Sequence, residues 1–301
     1  MARRLAALPG DRILKRRTFL ATAAAAAAVG PDVAAAATLH ARVAAAAAGV
    51  PGTMGVYART LAPGGPLIAY NAREIFPTAS VIKVLVMTTA YVVAQAKPGA
   101  LRETIVFERS DLIGVSDFMS GRRNGERFTV AQLIVPMIQV SDNTAANMLI
   151  EHFGVKAINA VGARVGMKST RLARTFLDTS AILHHHDNVS TPADMGRLLY
   201  VIERGAHEAI PTIVSPERCR EMVTIMLGQT DREKIPKGLP PGTRIANKTG
   251  EITGTRNDVA IVDPFGDSPL ILTIMTKDLT DYAAANSATH AIARAVYNHA
   301  R

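Results

Sequence analysis

Three short polar motifs in this chain carry residue types that can do acyl chemistry. They read Ser80-Val81-Ile82-Lys83, Ser141-Asp142-Asn143 and Lys248-Thr249-Gly250. At ordinary residue usage, an S-x-x-K pattern arises by chance roughly once in a chain of this length. Here each pattern occurs once, and the three follow the chain order of one known acyl-serine constellation.

A serine hydroxyl is a weak nucleophile and needs a base within hydrogen-bond reach. Lys83 lies one helical turn after Ser80, on the same face of a predicted helix. It can act as that base only if burial or a neighbouring cation lowers its pKa, and Lys248 is a candidate for that cation. At a helix start the Ser80 N–H has no intrahelical partner, and the dipole favours an oxyanion. Ser141 could relay a proton from Lys83 to a leaving nitrogen. The Asn143 amide can both give and accept hydrogen bonds toward a substrate amide. Lys248 and Thr249 can hold a carboxylate, and Gly250 permits close backbone approach. Taken singly, each motif is an ordinary cap or turn. Taken together they supply nucleophile, base, relay, oxyanion hole and anchor.

The elements that must position these groups follow from patterning. Met54–Ala58 and Leu67–Tyr70 read as strands around the turn Ala62–Pro66. A helix runs from Pro77–Ser80 to about Ala96. Thr129 to about Arg204 is mostly helical, with a polar interruption from Thr175 to Thr191. A further helix spans Pro216 to about Leu227, and Ile235–Gly242 is a loop. Asn257–Val262 and Leu270–Thr276 are strands, the former opening near Thr255 just after the third motif, and Asp281–Ala300 is a closing helix. Strands at both ends and helices between them predict an α/β lobe with an antiparallel sheet and an inserted all-helical lobe. The α/β lobe takes about 38–78 and 215–301, the helical lobe about 79–214. The cleft between the lobes is the natural place for a site.

The first 37 residues read as an export address. Lys15-Arg16-Arg17-Thr18-Phe19-Leu20 is a twin-arginine pattern ahead of an alanine-rich run, and small residues from Val33 to Ala37 suit cleavage. This predicts a periplasmic or secreted protein. Without that segment, 28 Lys+Arg face 23 Asp+Glu, so the formal charge falls from +9 to +5. No run of Lys or Arg interleaves with aromatics, so nucleic-acid binding has little support. Cys219 is the only cysteine, which excludes an intrachain disulfide. No later segment reads as long and apolar enough to span a membrane, and a monomer is expected.

The motifs and their flanks resemble the serine β-lactamase and penicillin-binding protein superfamily, most closely class A β-lactamases, over about residues 45–300. Ser141-Asp142-Asn143-Thr144-Ala145-Ala146-Asn147 and the approach Gly238-Leu239-Pro240 to Asn247-Lys248-Thr249-Gly250 carry the resemblance. It implies a β-lactamase/DD-peptidase-like fold, acyl chemistry by Ser80, Lys83 and Ser141, and substrate binding by Asn143, Lys248, Thr249, Gly250 and the adjoining Glu251. It implies no cofactor, and a β-lactam or peptidoglycan-like small substrate.

One departure matters. Class A enzymes carry a glutamate in a loop after the second motif, within E-x-x-L-N, and it activates the deacylating water. This chain has no Glu between Glu151 and Glu203, and the corresponding loop reads Arg174-Thr175-Phe176-Leu177-Asp178-Thr179-Ser180. Asp178 and Glu251 are the candidate substitutes, and having no dedicated base is the third possibility. Arg174 and Asp187 could pair across this loop. The run His184-His185-His186 is read as polar loop, because adjacent side chains diverge and rarely converge on one metal ion. Three functions compete: a β-lactamase, a D-alanyl-D-alanine peptidase or other amide or ester hydrolase, and a penicillin-binding sensor that acylates with little turnover.

Overall fold

A computed structural model of the chain describes residues 31–114, 118–178 and 186–301. The twin-arginine segment and His184-His185 lie outside the described residues. Helix α1 (Pro31–Ala48) leads into β1 (Thr53–Thr60) and β2 (Ile68–Tyr70). A two-residue strand β3 (Phe76–Pro77) precedes the 3-10 turn Ala79–Ile82, which continues directly as α2 (Lys83–Ala96). The helical lobe adds β4 (Thr104–Val106), β5 (Arg127–Thr129), α3 (Val130–Gln139), α4 (Asn143–Phe153) and α5 (Val155–Val165). Then come β6 (Val189–Ser190), α6 (Pro192–His207), α7 (Pro216–Leu227), β7 (Ile245–Ile252), β8 (Thr255–Val262), β9 (Leu270–Lys277) and α8 (Tyr282–His299).

Five strands form one antiparallel sheet in the order β2-β1-β9-β8-β7. Strands from both ends of the chain thus join in one sheet, as the sequence pattern required. Side chains alternate across it. Leu270, Leu272 and Ile274 of β9 pack with α1 and α8, while Ile271 and Met275 face the helical lobe. Both faces are covered, so β9 is buried along almost its whole length. Leu39, Val43 and Ala47 form the buried stripe of α1, one per turn.

Three expectations need correcting. The strand expected from Thr255 is there as β8, but the third motif is not a turn before it; it lies inside a further strand, β7, which pairs over its whole length with β8. Its polar residues are buried against other polar groups, Lys248 against Ser141 and Asn247 against Arg232 and Asp258. And Ala79–Ala96 is, by length and composition, apolar enough to cross a membrane. It is apolar on nearly all sides because it runs through the centre of the helical lobe, with 67% of the span buried. The polar interruption is also longer than expected, opening at the left-handed Gly166 that ends α5.

Candidate active site

The site assembles where the start of α2, the α3–α4 link and the edge strand β7 meet. The segment before Ser80 is fixed first. Asn257 of β8 donates from Nδ2 to the carbonyls of Pro77 (2.8 Å) and Thr78 (3.1 Å). Thr78 is also tied to the Asn188 carbonyl through its N–H (2.8 Å) and its hydroxyl (3.1 Å). Ala79 is held at φ +45°, a region that costs a non-glycine residue energy and persists only where the surroundings enforce it. Ser80 follows, half-buried, on the wall of a cavity of about 320 Å³. Its hydroxyl makes no hydrogen bond with another described residue, so it is open to an incoming carbonyl. Catalytic hydrogen bonds commonly tighten only once substrate is present.

Gly250 is where β7 touches this turn. A Cβ there would sit 2.8 Å from the Thr78 carbonyl and 2.9 Å from the Ser80 nitrogen. Only a residue without a side chain lets the strand backbone approach the Ser80 N–H this closely. Two backbone segments thus converge on one point beside the nucleophile, the geometry an oxyanion hole needs.

Lys83 is fully buried, and so is Lys248. Lys83 Nζ lies 2.7 Å from the Ser141 carbonyl, 2.7 Å from Asn143 Oδ1 and 3.2 Å from Ser141 Oγ. Lys248 Nζ donates to Ser141 Oγ at 3.0 Å and to the Thr249 carbonyl at 2.7 Å. Ser141 Oγ therefore sits between two lysines. A hydroxyl carries one proton, so it can accept from Lys248 and give that proton to the lone pair of a neutral Lys83. Electrostatics agree: burial pushes the Lys83 pKa well down, the Lys248 charge pushes it further, and Asp142 opposes both. Burial also lowers Lys248, to about 7, against the pull of Asp258 and Asp231. Ser141 is positioned by strain, at φ +59°. Asp142 caps α4 by accepting from the Ala145 N–H at 2.9 Å, which sets Asn143 at the helix start.

The structure brings Ser80, Ser141, Asn143, Thr249, Gly250 and Glu251 to one cavity wall, with Lys83 and Lys248 behind it. Asp178 is not part of that lining. Phe176 stands against Lys83, its ring centroid 4.4 Å from Lys83 Nζ. Its backbone is pinned from both sides by Asn147, which accepts from the Phe176 N–H (2.7 Å) and donates to its carbonyl (3.1 Å). An apolar ring thus occupies the space from which a carboxylate could activate a water. The Arg174–Asp187 pair is present, with Nη2 and Nε at 2.7 and 3.2 Å from Oδ1.

Glu251 has a partner that the sequence did not reveal. Lys234, 2% exposed, bridges Asp231 Oδ2 at 2.7 Å and Glu251 Oε1 at 2.6 Å. Burial works against its charge, but the two carboxylates more than offset this and hold its pKa above the ordinary lysine value. Arg256 adds a looser contact to Glu251 at 3.7 Å. Glu251 is thus held by two cations at the mouth of the site. Asp258, buried under β7, accepts from the Asn247 side chain (3.0 Å) and the Ile235 N–H (3.0 Å), and burial raises its pKa to about 6. Among the described residues, no group of three or more His, Cys, Asp or Glu converges as a metal site.

Comparison with known proteins agrees with this geometry. Residues 38–300 match the model of the beta-lactamase enzyme family. The chain is 29% identical over 230 residues to the carbapenem-hydrolyzing beta-lactamase KPC of Klebsiella oxytoca, covering 75% of this chain and 76% of that one. It is 31% identical over 208 residues to beta-lactamase CTX-M-8 of Citrobacter amalonaticus, covering 67% and 69%. The crystal structure of a beta-lactamase from Sphaerobacter thermophilus DSM 20745 superposes with a TM-score of 0.75 at 28% identity, covering 86% of this chain and 96% of that one. With the serine–lysine–serine–lysine cluster in place on this fold, the chain belongs to the beta-lactamase enzyme family.

Proposed function

We propose that the chain opens β-lactam rings by forming an acyl-enzyme at Ser80. The observation that carries this reading is the placement of Ser141 Oγ between Lys83 and Lys248. In the first step Ser80 Oγ attacks the lactam carbonyl, and Lys83, kept neutral by burial, takes its proton. The developing oxyanion is met by the backbone where Gly250 approaches the Ser80 nitrogen. Lys83 then returns the proton through Ser141 to the departing ring nitrogen, leaving an ester on Ser80. Asn143 orients the substrate amide, and Lys248 with Thr249 faces its carboxylate. A chromogenic cephalosporin assay combined with intact-protein mass measurement tests this. Ring opening with a transient adduct supports it, and neither turnover nor adduct would count against it.

A second reading, acylation with little turnover, is favoured by one observation: Phe176 covers Lys83 where a deacylating base would stand. On that reading the adduct outlasts many cephalosporin turnover times. Export supports either reading. Residues 1–37 fit a twin-arginine leader, followed by a catalytic domain from residue 38 that acts in the periplasm or outside the cell. Arg16 and Arg17 replaced by lysines should then hold the precursor inside the cell, whereas unaltered export of that variant would point to the general secretory route.

A further inference from the structure

A second, larger cavity of about 1090 Å³ lies along β1 and β2, at the sheet edge opposite β7. The 71–74 loop, the turn at 166–169 and the first half of α6 complete its walls. Four cations reach into it: Arg59, Arg73, Lys168 and Arg197. Arg59 is held in place, its Nε donating to the Thr60 carbonyl at 3.1 Å and its guanidinium stacked 3.7 Å from the Tyr200 ring centroid. Arg197 lies across the turn at Gly166. A Cβ there would be 3.4 Å from Arg197 Cδ and Nη1, and the φ of +87° suits glycine.

The two carboxylates in the same wall are already engaged. Glu74 pairs with Lys277 at 2.8 Å. Asp194 accepts from the Ser169 N–H at 2.8 Å and from the Thr170 hydroxyl at 2.9 Å. Arg73, Lys168 and Arg197 make no hydrogen bond or ion pair with another described residue. Four cations thus face one carboxylate, Asp194, whose partners are neutral, and a net positive charge in a concave surface raises the local potential and attracts anions. Three of the four are guanidiniums, whose planar forks match phosphate oxygens in pairs.

We propose that this cavity binds a ligand carrying two or more phosphate groups. A single small anion would engage one fork and leave the other cations facing each other, whereas linked phosphates satisfy several at once. The Tyr57 and Tyr200 rings supply apolar wall for whatever joins the phosphates. The proposal does not depend on the reading of Ser80, whose cavity lies against the other edge of the sheet.

Calorimetric titration of the full chain with tripolyphosphate tests it, with vesicles containing cardiolipin, whose headgroup links two phosphates, as a second arm. Saturable binding that weakens with added salt is expected. The double variant Arg73→Glu, Arg197→Glu should bind at least about tenfold more weakly. A second double variant, Arg102→Glu, Arg123→Glu, makes the same change in net charge at exposed positions outside the cavity and should bind as the parent does. Thermal melts of both variants check that they fold. Preference for tripolyphosphate assigns a soluble ligand, and preference for vesicles assigns lipid headgroups. No saturable binding in either arm, or equal weakening in the two double variants, overturns the proposal.

Discussion

Replacing Phe176 by glutamate should convert slow deacylation into fast deacylation. The backbone at 176 is clamped by Asn147, so a new side chain starts from the same place and points at the same neighbour, Lys83. Glutamate is about as long as phenylalanine, and its carboxylate would fall where the ring centre now lies, 4.4 Å from Lys83 Nζ. There it could both pair with Lys83 and hold a water beside the Ser80 ester. A well-placed general base is worth about 10²–10⁴-fold in rate. That corresponds to about 3–5 kcal/mol of barrier. The new charge also raises the Lys83 pKa, because an opposite charge favours the ammonium. Acylation should therefore slow modestly at neutral pH while deacylation accelerates. Phe176→Gln is the control, with similar length and no basicity. Stopped-flow mixing with a chromogenic cephalosporin, with quenched samples weighed intact, separates the two steps. The reasoning fails if Phe176→Glu folds, acylates and yet deacylates no faster than Phe176→Gln.

Two further outcomes depend on pH. Acylation needs neutral Lys83, so its rate should fall as pH drops through that lowered pKa; above about pH 7 Lys248 loses its charge, and KM for a carboxylate-bearing substrate should rise. An acylation rate that does not fall toward acid pH would contradict the Lys83 assignment, and a KM unchanged through pH 7 the Lys248 assignment. Glu203 is fully buried, with no partner for Oε2 among the described residues and Oε1 accepting from the Phe265 N–H, and burial raises its pKa to about 7. The folded state thus keeps a proton that the unfolded chain releases near its ordinary value, so the stability this gives is full below about pH 4.5 and is lost as pH rises through about 7. The loss is about 3 kcal/mol at most. Glu203→Gln should flatten that part of the stability profile, as urea melts across the range would show.

The catalytic motifs were legible because acyl chemistry demands particular side chains at short spacings. Helices marked by strong boundaries were legible too: Pro216 opens α7 at the expected residue, and Asp281 caps α8. The strand β7 was not, because Asn247-Lys248-Thr249-Gly250 has the composition of a turn. Its polarity reflects burial against other polar groups of the site, which local patterning cannot register. The β3–β6 pairing, two residues long, carries no periodicity at all, yet it holds Pro77 beside Val189 just before the nucleophile. Lys234 sits in a stretch of mixed charge and looks solvated; only the fold brings it between Asp231 and Glu251. Phe176 had one readable signal. Asn147, in the second motif's flank, is a polar residue in the buried stretch of a helix, and a buried amide must find partners. Those partners are the backbone of Phe176, whose ring faces Lys83.

The central claim is that Ser80 carries the acyl group. Wild-type protein and Ser80→Ala should each be incubated with a penicillin, weighed intact, then digested to locate any adduct. The account predicts a gain of one penicillin mass on the wild type, confined to the peptide containing Ser80, and none on a folded Ser80→Ala. An adduct on the alanine variant, or on any other residue of the wild type, would contradict it.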